Sequence, residues 1–296
     1  KGFILTKIMS KSFSELYQKQ LLYCIQQAVD EDLSAAGDHT SKAIFPAEHQ
    51  SKAKLIAKGI GVLAGVDFCK LALEQHAPNV TLTPLVTDGS LFSEGEILLS
   101  LKGDTRDILS LERILLNALQ RMSGIATVTQ GIQESISHTN CKVLDTRKTT
   151  PNFRIAEKWA VHIGGGVNHR MGLYDAIMLK DNHIDFCGGL QQALHQTKTY
   201  LDTLPIPIPV IVETRTMEDV ICCLQHKWIS RMLLDNMSPT ALIEAVALID
   251  KKLATEASGN ITPDNCVAYA ETGVDFISLG YITHSAPIID LSLRAD

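Results

Sequence analysis

The chain changes its hydrophobic pattern near residue 140. Before that point apolar residues recur at helical spacing or alternate with polar ones, which predicts amphipathic helices and half-buried strands. A first helix begins at the S-x-x-E capping box of Ser12–Glu15, and a short helix covers 67–75. A long, largely buried helix begins at Thr105 and is predicted to end or bend at Gly124. Strands of this α+β region are predicted over 52–58, 81–86 and 96–102.

From Cys141 onward, apolar strands alternate with amphipathic helices, which predicts β-α repeats. The predicted helices cover 153–161, 190–201, 217–226, 239–253 and 263–272. Almost every predicted strand ends in an ionisable residue; the strand ends are Asp145, Lys180, Glu213, Asp235, Glu256 and Leu279. In a parallel α/β barrel these ends meet at one mouth, where the active site lies. The pattern therefore predicts a barrel with a charged site at its mouth.

The composition is ordinary for a globular protein and excludes few other classes of protein. With 296 residues, 45% hydrophobic and 20% charged, it suits one large or two modest domains. No apolar stretch approaches the ~18 residues of a membrane helix. The first residues, KGFILTKIMS, are too broken for a secretory signal, and Met9 is a candidate start. Seven cysteines without a CxxC pair predict reduced core thiols in a cytoplasmic protein.

A basic cluster lies between Asp145 and His183, although the chain has a formal net charge of -6. Its cationic members are Arg147, Lys148, Arg154, Lys158, Arg170 and Lys180. Because the rest of the chain is acidic, this cluster indicates a local anion site and not a nucleic-acid surface.

The strand-end residues suggest two kinds of ligand. Arg147, Arg170 and Lys180, together with His169, are donors suited to carboxylates. The carboxylates Glu213 and Asp235, which follow on the next two strands, suit Mg²⁺ and so imply a phosphate ester. The small-residue loops 258–260 and 279–281 let backbone N–H groups approach a phosphate. We therefore expect a multiply charged carboxylate and a phosphorylated, magnesium-bound partner as substrates.

Several stretches together resemble one known family. They are GDHTS (37–41), ERILLNALQRMSGIAT (112–127), DTRKTTPNFR (145–154), GGGVNHRMGL (164–173), LKDNHI (179–184), LLDNMSP (233–239), EASGNI (256–261) and GVDFISLGYITHS (273–285). In this order along the chain they resemble quinolinate phosphoribosyltransferase, the carboxylating nicotinate-nucleotide pyrophosphorylase. That pentosyltransferase makes nicotinate mononucleotide, pyrophosphate and CO₂ from quinolinate and phosphoribosyl pyrophosphate in NAD biosynthesis.

The resemblance implies an α/β fold with two domains. An N-terminal α/β sandwich would comprise 1–122, with 284–296 packing back onto it. An open, seven-stranded, TIM-like α/β barrel would comprise 123–283 and carry the active site. The family forms a homodimer, in which Arg113 would reach the quinolinate of the neighbouring subunit.

The resemblance also implies roles for individual residues. Arg113, Arg147, His169, Arg170 and Lys180 would bind quinolinate. Lys148, Glu213 and Asp235 would be catalytic, with Glu213 and Asp235 holding Mg²⁺. Phosphoribosyl pyrophosphate would contact these three residues and also Thr146, Ser258, Gly259, Asn260, Leu279, Gly280 and Tyr281.

Two departures from the family and three alternatives remain at this point. The acidic run of the third barrel strand is reduced to Glu213, and Arg215 adds a cation beside it, while Asn260 replaces a frequent glycine. One alternative is a related phosphoribosyltransferase acting on another aromatic acid. A second is a Schiff-base lyase that uses Lys180. A third is a protein that binds anions without catalysis.

Overall fold

The computed structural model describes residues 12–296, so Met9 lies outside the described residues. The helices of this range are α1 (Phe13–Leu33), α2 (His39–Ile44), α3 (Val66–His76), α4 (Thr105–Ser135), α5 (Arg154–Ile163), α6 (Asp181–Phe186), α7 (Leu190–Leu201), α8 (Met217–Cys223), α9 (Pro239–Ile249), α10 (Cys266–Ala270) and α11 (Tyr281–His284). The strands are β1 (Gln50–Ala57), β2 (Gly61–Val62), β3 (Thr81–Pro84), β4 (Leu91–Phe92), β5 (Ile97–Asp104), β6 (Lys142–Leu144), β7 (Ile177–Leu179), β8 (Val210–Thr214), β9 (Arg231–Asp235), β10 (Ala254–Ser258), β11 (Phe276–Ser278) and β12 (Leu291–Ala295).

The chain forms two compact units, each built from several segments. The first contains the described residues up to 130, together with 149–165 and 282–296. The second contains 131–148 and 166–281. The domain boundaries drawn from the sequence, 122/123 and 283/284, stay predictions.

An antiparallel sheet in the order β12-β1-β5-β3 forms the first unit's framework. The C-terminal strand β12 pairs with β1, so the end of the chain returns to the N-terminal sheet. Leu55 of β1 and Leu99 of β5 line a small internal cavity together with Leu115 and Leu119 of α4. The long helix therefore covers one face of this sheet, as its apolar pattern predicted.

Helix α4 continues past Gly124 to Ser135, so the prediction that it ends there is wrong, and a bend at this residue stays a prediction. A Cβ at Gly124 would lie 2.0 Å from the carbonyl oxygen of Pro287. This glycine is therefore required by the close approach of another segment and does not end the helix.

The N-terminal end of α1 follows its sequence signal. The Glu15 N–H donates to Ser12 Oγ at 3.3 Å, and the Ser12 N–H donates to Glu15 Oε2 at 2.7 Å, which completes the predicted capping box. At the other end Asp32 lies in the last turn of α1, and Asp38 caps α2 by accepting hydrogen bonds from the Thr40 and Ser41 amides. These two acids therefore lie at helix ends.

Asp88 makes the first unit's stability depend on pH. Its carboxylate accepts the Val66 N–H at 2.9 Å, at the start of α3, whose own N-cap is Gly65. Burial raises the pKa of Asp88 from 3.8 to about 6. Between these pH values the folded state binds more protons than the unfolded state, so stability falls as pH rises through this window.

We expect Asp88 to lower the free energy of unfolding by about 2 kcal/mol between pH 4 and pH 6. Asp88→Asn removes the titrating group but keeps an oxygen that accepts the Val66 N–H, so it flattens this decline. Urea unfolding at a series of pH values checks the prediction. An unchanged slope in the variant would contradict it.

The second unit contains a sheet of six parallel strands in the order β6-β11-β10-β9-β8-β7. All six lie where the sequence predicted strands, and each ends within two residues of its predicted end. Val167 adds a single parallel bridge beside Leu144 of β6. Within residues 12–296 this sheet therefore has six strands and one additional bridge, so the open seven-stranded barrel stays a prediction.

The strand register places the predicted acids on one face of this sheet. Glu213 lies opposite Leu233, and Leu233 lies opposite Glu256. Because side chains alternate between faces, Asp235 and Ser258, two residues further on, share that face. An apolar cluster that includes Ile211 and Leu233 lies on the same face below them. Polar groups therefore cover the carboxyl-terminal end of an apolar interior.

Two further sequence predictions concern the chain as a whole. All seven cysteines are free thiols, as the missing CxxC spacing indicated. Among the helices of the described chain, none is long and apolar enough to cross a membrane.

Candidate active site

Glu213 is the buried acid at the end of β8. Its Oε1 accepts the Asp181 N–H at 3.0 Å, at the start of α6, and its Oε2 lies 3.8 Å from Lys180 Nζ. Burial and the negative charge of Asp235 raise the pKa of Glu213, and the Asp181 amide and Lys180 partly offset this rise. The carboxylates of Glu213 and Asp235 are therefore close enough to interact electrostatically, and an added cation would favour their ionised forms.

Asn236 connects Asp235 to the loop after β10. Its side-chain amide donates to Asp235 Oδ2 at 2.6 Å, and its N–H donates to the Ser258 carbonyl at 2.9 Å. The Asn260 amide in turn donates to Asn236 Oδ1 at 3.1 Å. The predicted acid and the predicted phosphate loop thus form one hydrogen-bonded unit, although sequence analysis had assigned no role to Asn236.

Backbone geometry explains the asparagine that replaces a frequent glycine. Asn260 has φ +53°, in the left-handed region where glycine is favoured and asparagine is among the best-tolerated other residues. Its neighbour Gly259 has φ +94°, and a Cβ there would lie 2.3 Å from Asn236 Oδ1. Position 260 therefore tolerates a side chain, whereas position 259 does not.

The family resemblance implies that this loop binds phosphoribosyl pyrophosphate. Gly259→Ala is therefore expected to raise the KM for that substrate, because the new methyl group displaces Asn236 and with it Asp235. Gly188→Ala is a matched control, since Gly188 has φ +92° and a Cβ added there would meet no atom within 4 Å. In both variants an alanine must adopt a similar positive φ, so the backbone strain is alike. The two variants differ because only the alanine at position 259 would collide with a neighbouring residue. Steady-state kinetics that show equal effects would contradict this role of Gly259.

The predicted cations gather at the end of β6 and in the loop that follows α5. Arg147 and Lys148 are exposed, and the Lys148 N–H donates to Thr146 Oγ1 at 3.0 Å. The Arg170 guanidinium donates to the Ala176 carbonyl at 3.1 Å. Burial and the neighbouring Arg147 charge lower the pKa of Arg170. Two guanidinium groups that repel each other in this way form a site for an anion.

Asp145 holds the two most specific motifs together. This fully buried carboxylate accepts the His169 N–H at 2.8 Å and the Asn168 side-chain amide at 2.7 Å. The DTRK segment and the NHR segment are therefore connected directly, although the two motifs stand apart in the sequence. The acid predicted as a strand end serves here to place the cation-bearing loop.

His169 is buried beneath this loop, and each of its ring nitrogens faces a polar group. Nδ1 accepts the Arg170 N–H at 2.7 Å, and Nε2 lies 3.4 Å from Glu256 Oε2. The predicted role of His169 in binding quinolinate stays a prediction.

Glu256 is fully buried and belongs to a cluster that sequence analysis did not assign to the site. Arg231 donates to its Oε2 at 2.9 Å, and the Ser278 hydroxyl donates to its Oε1. Burial alone would raise the pKa of Glu256, but His169, Ser278 and Arg231 together hold it below the usual value. Two sequence signals concerned this residue, namely its position at a strand end and its place in the EASGNI stretch.

Arg215, the unexpected cation after β8, binds an acid of its own. Its guanidinium donates to both carboxylate oxygens of Asp185, at 2.7 and 3.2 Å. Its side chain is half exposed, so this pair lies at the surface. The charge of Arg215 is therefore compensated by α6.

The ends of β11 and β6 lie side by side. The Leu279 N–H donates to the Leu144 carbonyl at 3.1 Å, which carries Gly280 and Tyr281 along the same edge as Thr146. The second unit thus assembles every predicted site residue except one.

That exception is Arg113, which belongs to the first unit. Its side chain is 66% exposed, and its guanidinium lies 3.4 Å from the carboxylate of the neighbouring Glu112. It borders an open cleft of about 980 Å³ that also involves Asp32 and Asn152. Its predicted reach into a neighbouring subunit stays a prediction.

The carboxylates of Glu213 and Asp235 suit a metal ion that binds only a few protein ligands. In the described chain, no group of three or more His, Cys, Asp or Glu residues has the geometry of a metal site. Mg²⁺ commonly uses one or two carboxylates and completes its shell with substrate phosphates and water. Glu213 and Asp235 match that donor set, and the raised pKa of Glu213 indicates a place where a cation would be favourable.

Comparison with known proteins identifies the family of both parts of the chain. Residues 38–123 match "Quinolinate phosphoribosyl transferase, N-terminal domain", and residues 125–294 match the C-terminal domain of the same family. A Nicotiana glauca protein named quinolinate phosphoribosyltransferase [decarboxylating] 1 is 38% identical over 92% of this chain and 81% of its own. A Bacillus subtilis protein named probable nicotinate-nucleotide pyrophosphorylase [carboxylating] is 38% identical over 89% of each chain.

Solved structures show the same likeness. The nicotinate-nucleotide pyrophosphorylase of Francisella tularensis has a TM-score of 0.86 and 36% identity, and the match covers 97% of this chain and all of that one.

Proposed function

Because the chain belongs to the quinolinate phosphoribosyl transferase family, we propose that it transfers phosphoribose from phosphoribosyl pyrophosphate to quinolinate with decarboxylation. The products are nicotinate mononucleotide, pyrophosphate and CO₂. The observation that carries this proposal is the juxtaposition, in one parallel sheet unit, of paired guanidinium groups with the acids Glu213 and Asp235. One set of groups suits a dicarboxylate, and the other suits a cation-bound phosphate ester.

The cations bind and orient the acceptor. Arg147, Arg170 and Lys180 supply positive charge for the two carboxylates of quinolinate, and a bound dianion relieves the repulsion between Arg147 and Arg170. Guanidinium groups bind carboxylates through paired hydrogen bonds, which fixes the plane of the ring. A fixed ring keeps its nitrogen directed at C1 of the ribose, so the reaction gains from proximity.

The other residues hold the phosphoribosyl donor. Asp235, Glu213 and Lys148 contact the ribose and pyrophosphate, together with Thr146. The loops that include Ser258, Gly259, Asn260 and Leu279, Gly280, Tyr281 receive the 5′-phosphate through backbone N–H groups. Glu213 and Asp235 would hold Mg²⁺, and the bound ion would supply positive charge for the departing pyrophosphate.

The reaction balances without a protein nucleophile. The ring nitrogen forms a bond to C1 as the bond from C1 to pyrophosphate breaks, and the electron pair leaves with pyrophosphate. The ring nitrogen is then positively charged, so the bond to the 2-carboxylate breaks with its electron pair remaining on the ring carbon. CO₂ departs, and a proton replaces it. Lys148 and the other cations stabilise the charge that develops on pyrophosphate.

Two alternatives are less well supported. A Schiff-base lyase needs a lysine made nucleophilic by desolvation or by a neighbouring cation, whereas Lys180 is half exposed and faces Glu213 at 3.8 Å. A protein that binds anions without catalysis does not need the buried Glu213 and the half-buried Asp235 beside its cations. A related transferase for another aromatic acid would use the same architecture, so acceptor selectivity is the discriminating measurement.

The proposed assembly is a homodimer in which Arg113 contributes to the quinolinate site of the neighbouring subunit. Its support is the exposed guanidinium on α4 and the family resemblance of the ERILLNALQRMSGIAT stretch. Cytoplasmic location likewise stays a prediction, and some plant relatives carry names that place them in chloroplasts or mitochondria.

The test is an assay with phosphoribosyl pyrophosphate, Mg²⁺ and either quinolinate or nicotinate, in which nicotinate mononucleotide is measured. We expect turnover of quinolinate and none of nicotinate, because nicotinate lacks the 2-carboxylate that the cations bind. Nicotinate turnover at a comparable rate would contradict dicarboxylate recognition. A folded protein inactive with quinolinate would contradict the proposed reaction.

A further inference from the structure

The buried cluster around Glu256 connects three strands with the loop that carries His169. Arg231 of β9 and Ser278 of β11 both donate to Glu256 of β10. The Arg231 guanidinium also packs on the Phe276 ring, 4.4 Å from its centroid. The carboxylate is thus held from both neighbouring strands, and its Oε2 faces the imidazole of His169 at 3.4 Å. A group fixed so firmly is suited to fixing the orientation of another group.

The contacts of His169 define which ring nitrogen carries the proton. Nδ1 lies 2.7 Å from the Arg170 amide nitrogen, which is a donor, so Nδ1 acts as the acceptor and carries no hydrogen. In a neutral imidazole the proton is then on Nε2, which faces the carboxylate. The main-chain N–H of His169 is bound to Asp145 at the same time. His169 is therefore clamped between two buried acids.

This clamp extends to Arg170. The Arg170 amide is held by His169, and its guanidinium is held by the Ala176 carbonyl at 3.1 Å. If the ring carried its proton on Nδ1, two donors would face each other and the Arg170 amide would lose its acceptor. The tautomer of His169 thus determines the backbone geometry from which the Arg170 guanidinium extends.

We propose that Glu256 is a positioning residue for dicarboxylate recognition: it holds His169 in the form protonated on Nε2, and His169 in turn orients Arg170. This inference rests on the proposed function, because it concerns how quinolinate is bound. In this arrangement His169 acts on the acceptor through Arg170, because its Nδ1 binds the Arg170 amide.

The first test is nitrogen NMR of the uniformly labelled full-length protein, with the His169 signals identified by their loss in His169→Asn. We expect the wild type to show a protonated Nε2 and an unprotonated Nδ1. The Glu256 carboxylate only accepts hydrogen bonds, whereas the side-chain amide of Glu256→Gln can also donate one. The protonation pattern of the two His169 ring nitrogens is therefore expected to change in this variant. A wild-type His169 protonated on Nδ1 would overturn the proposal without any mutation.

The second test is kinetic. Glu256→Gln is expected to raise the KM for quinolinate on the order of tenfold or more, with the KM for phosphoribosyl pyrophosphate changed less than about twofold. Ser278→Ala is the matched control, because it removes a different partner from the same carboxylate. Because Arg231 still donates to Glu256, this variant is expected to change the quinolinate KM and the tautomer far less than Glu256→Gln does, and an equal effect of both variants would overturn the proposal.

A double-mutant cycle of Glu256 and His169 shows whether Glu256 acts through His169 or whether its replacement only disturbs packing. If Glu256 acts through His169, the double variant Glu256→Gln, His169→Asn has the same quinolinate KM as His169→Asn alone. Additive effects would contradict this route. A wild type without turnover would overturn the proposed function, whereas an active wild type with the other tautomer would overturn this inference alone.

Discussion

Arg170→Ala is expected to weaken quinolinate binding by about 2–5 kcal/mol, the usual consequence of truncating one partner of a desolvated charge pair. At the lower limit this is roughly a thirtyfold loss. The half-buried Arg170 guanidinium lies beside Arg147, so its removal also leaves a weaker field for the dianion. Calorimetric titration with quinolinate and the quinolinate KM measure the effect, and Arg147→Ala is expected to act in the same direction.

Arg215→Ala is the control for this prediction. It makes the same change in a guanidinium that binds Asp185 at the surface. We expect its quinolinate affinity to match the wild type. Equal losses in Arg170→Ala and Arg215→Ala would mean that overall positive charge attracts the ligand, which contradicts a specific site.

Arg121→Ala is expected to lower the free energy of unfolding by about 3–5 kcal/mol, because it leaves the fully buried Glu157 without its cation. Arg121 donates to Glu157 at 2.9 Å, to the Ala286 carbonyl at 2.9 Å, and to the Thr283 carbonyl. Thr150 donates to the same carboxylate. One ion pair therefore joins α4, α5 and the C-terminal segment of the first unit.

Urea unfolding measures this loss. The double variant Arg121→Met, Glu157→Gln is expected to lose less stability than Arg121→Ala alone, because no uncompensated buried charge remains. A double variant that is less stable than Arg121→Ala would contradict this explanation. Arg215→Ala, which breaks an exposed pair, is expected to unfold like the wild type.

Most strand ends of the second unit were predictable because almost every buried apolar run is followed by an ionisable residue. The register between neighbouring strands, which the sequence alone does not give, then places Glu213 and Asp235 on one face. The capping box at Ser12 was predictable because it is entirely local. Most helices and strands could therefore be predicted from sequence patterns within a single element.

The parts that could not be predicted depend on residues far apart in the sequence. The close approach of Pro287 explains why a glycine stands inside a helix at position 124, and no local pattern contains that information. Arg215 is compensated by Asp185, thirty positions earlier in the chain. Glu256 was visible as a strand-end acid, but its contact with His169 needed the fold.

The most direct measurement of the central claim uses quinolinate that is radiolabelled in either its 2-carboxyl or its 3-carboxyl group. With phosphoribosyl pyrophosphate and Mg²⁺, we expect the 2-carboxyl label to be released as CO₂ in equal amount to the nicotinate mononucleotide formed. The 3-carboxyl label is expected to remain entirely in the nucleotide. Nucleotide formation without release of the 2-carboxyl label, or release that does not require phosphoribosyl pyrophosphate, would contradict the account.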